Sequence, residues 1–82
     1  MPYMFTVTVP EWLRNKWPGH WTWELYDAEV TRPDRRYLAE AEYTKGNARR
    51  SVLIYGSYCT TEAGAWRSLD AAMLWAQKQL GD

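Results

Sequence analysis

Eighty-two residues make a single domain, since a second core would have no chain left to build it. Ten Lys and Arg balance ten Asp and Glu, and this neutrality argues against a general nucleic-acid binder and against a disordered charged tail. A lone Cys excludes an internal disulfide framework, and no apolar run approaches the roughly 20 residues of a membrane span.

The opening residues 1–5 lack the charged region and long apolar stretch of a secretory leader, so the expected setting is cytoplasmic. Residues 4–9 alternate, with Phe5, Val7 and Val9 on one face, and predict a strand that Pro10 stops. Pro10 also suits the start of a short helix over 11–17, in which Leu13 and Trp17 share a face before Pro18 and Gly19 end it. Residues 20–27 alternate cleanly: Trp21, Trp23 and Leu25 point one way, and His20, Thr22, Glu24 and Tyr26 the other. This strand has scope to run on to Val30, ahead of a turn at 32–35.

Residues 36–43 read two ways. As a strand they set Tyr37, Ala39, Ala41 and Tyr43 on one face; as a helix they gain an Asp34 cap and an Arg36–Glu40 pair. The strand is preferred, because Lys45, Gly46 and Asn47 then form a hairpin connection to an evident strand at 51–58. Residues 61–80 predict a long helix, capped by Thr60 or Thr61, with a buried stripe of Trp66, Leu69, Met73, Ala76 and Leu80 and an end at Gly81. The fold class is α+β: an antiparallel sheet of three to four strands, one long C-terminal helix on one face, and a short helix near 11–17.

Catalytic chemistry finds little support. A Cys–His pair would have to be Cys59 with His20, and no third group orients it. Cys59 reads better as a small apolar filler, and His20 as a rim residue. No nucleophile elbow and no glycine-rich phosphate loop occurs. The carboxylate pairs Asp27 and Glu29, and Glu40 and Glu42, could each share a strand face as an acid–base pair, but a solvated sheet face explains them better. No metal or cofactor is expected, and the chain reads as a non-enzyme.

Binding is better supplied. Trp75 lies nine residues from Trp66, about 180° round the helical wheel at about 100° per residue, and so faces away from the buried stripe with Leu74 at its border. Tyr26 and Glu24 occupy the polar side of the Trp-rich strand, which stays open if the helix covers only the other side; Tyr37 or Leu38, and Tyr55 or Leu53, would extend that face. Arg35 and Arg36, with Arg32, form one small basic cluster. Lys45, Arg49 and Arg50 form another, roughly 26 Å away along an eight-residue strand.

The strand Trp21-Thr22-Trp23-Glu24-Leu25-Tyr26-Asp27 and the strand–turn–helix segment from Tyr55 to Ala63 give the chain a resemblance, in style, to small phage and mobile-element accessory proteins of the anti-CRISPR kind. That resemblance implies an inhibitor that occludes a surface of a bacterial host complex without chemistry. Neutral charge speaks against the acidic nucleic-acid mimicry many of these proteins use. The expected function is therefore a non-enzymatic protein-binding module using Trp75, Leu74, Tyr26, Glu24, Arg35 and Arg36, its partner a host protein complex. The alternative is a nucleic-acid-binding or regulatory module using the arginine-rich turns. An exposed strand edge or Trp75 would serve a homodimer equally well.

Overall fold

The computed structural model describes residues 3–5, 9–45 and 50–79. Four strands and two helices follow in the order β1 (Tyr3–Phe5), α1 (Glu11–Lys16), β2 (Trp21–Asp27), β3 (Tyr37–Lys45), β4 (Arg50–Tyr55) and α2 (Glu62–Gln79). The strands form one antiparallel sheet in sequence order, β1-β2-β3-β4. This is the α+β arrangement that the patterning predicts.

Residues 37–45 are strand, so the helical alternative fails. Their intrinsic helix preference is overridden because β2 and β4 supply ladder partners on both sides, Trp21 to Asp27 on one and Arg50 to Tyr55 on the other. β2 stops at Asp27 rather than continuing to Val30. Ala28 N–H still donates to the Arg36 carbonyl at 2.7 Å, but the Ala28 carbonyl then accepts from Thr31 and Arg32, which folds the chain into a turn. β4 ends at Tyr55, short of the predicted 58, and Cys59 instead forms an isolated bridge with Tyr37. The N-terminal strand is described only over Tyr3–Phe5; the expected strand positions at 6–8, the hairpin tip at 46–49, and Leu80 and Gly81 lie outside the described residues.

Sheet parity sorts the side chains. Trp21, Trp23, Leu25, Tyr37, Ala39, Ala41, Tyr43, Val52 and Ile54 share one face through paired positions. α2 lies over that face, mainly across β3 and β4, and contributes Ala65, Trp66, Leu69 and Met73 to the buried core. The middle of β3 offers it the small Ala39 and Ala41, so the helix axis can come close there. Gly56 extends the close approach: a Cβ there would fall 2.6 Å from the Leu69 backbone nitrogen. Thr61 caps α2, its hydroxyl accepting from Gly64 N–H at 3.0 Å and its carbonyl from Ala65 N–H.

α1 is too short to persist alone and is held from outside. Pro10 stands just before its first turn, its carbonyl accepting from Leu13 and Arg14. Leu13 is fully buried in the common core, and Trp17 packs against it. Asp70 of α2 closes the contact, accepting from Trp17 Nε1 at 2.8 Å and from Lys16 Nζ at 2.9 Å. Trp21 is the hub of an aromatic wall, 5.1 Å from Tyr43, 5.8 Å from Trp23 and 6.4 Å from Trp17 between ring centroids.

Candidate functional site

The sheet face opposite α2 is uncovered by any described element. Its central row is Glu24, Glu40 and Tyr55, direct partners across β2, β3 and β4. Thr22, Glu42 and Leu53 form the row on one side, and Tyr26 with Leu38 the row on the other. The open choices of sequence thus resolve: Leu38, Leu53 and Tyr55 all join Tyr26 and Glu24 here, whereas Tyr37 goes to the helix side. Tyr55 is 55% exposed and Leu53 is also exposed.

Glu40 departs from expectation. A solvated face predicts a solvated carboxylate, yet Glu40 keeps only 8% of its surface and is the one buried charged residue among those described. The cause is position. On a twisted sheet it is flanked laterally by Glu24 and Tyr55, along its own strand by Leu38 and Glu42, and diagonally by Tyr26 and Leu53. No sequence signal marks this, because the alternation of β3 is the same for Glu40 as for Glu42.

Tyr26 ties the acids together. Its hydroxyl donates to Glu24 Oε2 at 2.7 Å. Hydrogen bonding to Glu40, then burial, then hydrogen bonding to Glu24 hold the phenol far above its usual range, so it keeps its proton. The phenol thus lies by two carboxylates and gives its proton to Glu24. Among the described residues, no Lys or Arg stands on this face. Lys16 and Arg36 are both engaged elsewhere, by Asp70 and by Asp27 with Glu29.

The remaining predicted residues are not brought to this face. Trp75, 65% exposed, and Leu74 lie on the outward side of α2, so the molecule's two layers separate them from Glu24 and Tyr26. Arg36 is at the end of the sheet, donating to both Asp27 oxygens at 2.9 and 2.6 Å and to Glu29 at 3.3 Å. This contact lowers the Asp27 carboxyl below its ordinary range, chiefly through the hydrogen bonds from Arg36. Arg35 is exposed in the turn, and Arg32 lies over the Tyr58 ring at 4.3 Å.

Cys59 and His20 do not meet. Cys59 bridges Tyr37, while His20 precedes Trp21, whose partner is Tyr43. Six residues of β3 separate the two ends, about 20 Å at about 3.3 Å per residue. Cys59 is half-buried and directs its thiol to the Ser57 carbonyl at 3.2 Å. Among the described residues, no cluster of His, Cys, Asp and Glu is placed to hold a metal ion, and no helix is long and apolar enough to cross a membrane. A partly open groove of about 500 Å³ on the helix side is walled by Trp17, Trp21, Tyr43, Ile54, Met73 and Gln77. It is apolar and aromatic, without convergent charges.

No protein-family model, no curated protein and no solved structure matches the chain.

Proposed function

We propose that this protein is a small non-enzymatic binding module that masks a surface of a partner protein, and that the open sheet face is its principal docking surface. One observation carries the reading: among the described residues the four-stranded sheet is covered on one side only, and its other side presents exposed Tyr55 and Leu53 among three carboxylates. A partner that buries the two side chains gains hydrophobic and aromatic contact, and the acids around them supply specificity. The exposed Trp75 on α2 is the runner-up surface, narrower because only Leu74 extends it among large exposed side chains of α2. Occlusion of a bacterial defence complex, in the manner of the anti-CRISPR proteins, is the biological setting proposed for this activity.

A nucleic-acid module built on the arginine-rich turns is disfavoured by the engagement of Arg36 with two carboxylates. The separation of Cys59 from His20 supports the non-enzymatic reading.

Affinity capture from a bacterial lysate tests the proposal when run with three proteins: the wild type, a Leu53→Ser/Tyr55→Ser variant, and Trp75→Ser. The expected result is a host protein retained by the wild type and by Trp75→Ser and lost from the double variant. Loss from Trp75→Ser alone transfers the docking surface to α2. Capture of nothing beyond background defeats the masking function.

A further inference from the structure

We infer that this chain forms a two-fold symmetric dimer through the outer edge of β4, which joins two four-stranded sheets into one. The occupant of this edge is a second copy of the chain, whatever the open sheet face binds.

The hydrogen-bond ladder defines the edge. β4 is the last strand of the sheet, bonded to β3 on one side and to no described strand on the other. Along an antiparallel strand, residues alternate between those that turn their N–H and C=O toward the neighbour and those that turn them away. Gly56 N–H donates to the Ala39 carbonyl at 3.1 Å, so Gly56 and, by alternation, Ile54 and Val52 face β3. Ser51, Leu53 and Tyr55 therefore direct their N–H and C=O groups out of the sheet, where no described backbone group meets them. Unpaired edges of this kind are usually guarded by Pro, by charge or by shortness. From Ser51 to Tyr55 there is neither Pro nor a charged residue. Val52, Leu53 and Tyr55 are instead 40%, 46% and 55% exposed, three large apolar side chains within four residues. α2 packs more on β3 than on β4, which leaves the edge accessible.

The order of residues along the edge fits a second copy. Two β4 strands set antiparallel about Leu53 bring Leu53 against the partner's Leu53, and Ser51 against the partner's Tyr55. Every outward-facing group of both strands is then paired, in a seam of about six hydrogen bonds. Side chains match as well. Small Ser51 stands beside bulky Tyr55 on the open face, and Val52 beside Ile54 on the helix face. Arg50 falls opposite Gly56, so no like charges are set against each other. A two-fold axis through Leu53, perpendicular to the sheet, keeps both α2 helices on one face and makes the two open faces continuous. One strand's seam buries less than the about 1,200–2,000 Å² of a standard interface, so the expected affinity is micromolar.

Sedimentation equilibrium and amide hydrogen exchange, run from low-micromolar to millimolar protein, test the dimer. The expected result is a monomer–dimer equilibrium in which the amides of Ser51, Leu53 and Tyr55 gain protection as concentration rises. The amides of Val52 and Ile54, bonded to β3, stay protected throughout. Leu53→Lys sets two ammonium groups against each other at the axis and is expected to weaken dimerisation about tenfold or more. Within its own protomer the new lysine lies beside Glu42, which favours retention of the fold. If that variant folds poorly, the wild-type exchange pattern still decides, because only edge pairing protects alternate residues of β4. Trp75→Ser is expected to dimerise as the wild type does. A monomer at millimolar protein, a dimer whose Ser51, Leu53 and Tyr55 amides exchange as in the monomer, or a dimer lost in Trp75→Ser overturns the inference. No host protein enters these measurements, so either result leaves the masking function to its own test.

Discussion

Two tryptophans on one helix separate stability from surface. Trp66 retains 3% of its exposure and Trp75 retains 65%. Truncating Trp66 to Ala leaves a large void in a close-packed core and is expected to cost about 3–5 kcal/mol, whereas Trp75→Ala is expected to stay within about 0.5 kcal/mol. Urea denaturation of the two variants checks this, and comparable losses would overturn the assigned faces of α2. Tyr26 makes a second prediction at this scale. Its raised pKa means that folding favours the protonated phenol. The stabilisation is complete below the phenol's ordinary value of 10.0 and is lost as pH climbs from there toward the folded-state value. Spectroscopic titration of the phenolate absorbance is therefore expected to reveal one tyrosine that ionises only with alkaline unfolding. Tyr26→Phe removes that late component, and its persistence in the variant would assign it elsewhere.

Among the elements, α1 depends most on the others. Six residues cannot hold a helix in water, and α1 survives because Leu13 enters the core and Asp70 receives both Trp17 and Lys16. Asp70→Ala strands the half-buried Trp17 indole N–H, at an expected cost of about 1–3 kcal/mol, while the partly exposed Lys16 pair adds little. Hydrogen exchange is expected to accelerate in residues 11–17 ahead of β2 and β3. Asp70→Asn keeps an acceptor for the indole and recovers most of the protection. Uniform acceleration throughout the sheet would show that α1 is part of the global unfolding unit instead.

For the whole molecule, the chain's zero net charge conceals a segregated surface. Acids gather on the open sheet face, and Arg36 is spent on Asp27 and Glu29 at the sheet's end. Among the described side chains, few free cations remain at any one place to replace the counterions of a polyphosphate. Binding of duplex DNA or of RNA is expected to be no tighter than about micromolar at about 150 mM salt, the range of non-specific association. Fluorescence anisotropy across a salt series measures it. A nanomolar complex with a steep salt slope, lost in Arg35→Ala/Arg36→Ala, would replace the protein-docking function with the nucleic-acid one.

Much of this was legible in the chain itself. Strict alternation from Trp21 to Leu25 and the stripe of Trp66, Leu69 and Met73 name their own buried faces, because a strand repeats every two residues and a helix every 3.6. Exposed Trp75 and the open side bearing Glu24 and Tyr26 follow from the same periodicities. Residues 36–43 were ambiguous because Ala, Glu, Leu and Arg favour helix locally, and only pairing with β2 and β4 settled them as strand. The engagement of Arg36 with Asp27, the tether from Asp70 to α1 and the burial of Glu40 could not be read at all. Each joins residues whose distance in space has no counterpart in local spacing: Asp70 lies 53 residues from Trp17, and Glu40 is enclosed by side chains from three strands. Periodicity assigns a residue to a face, but register across neighbouring strands determines which residues on that face are crowded together, and that is decided only when the sheet is assembled.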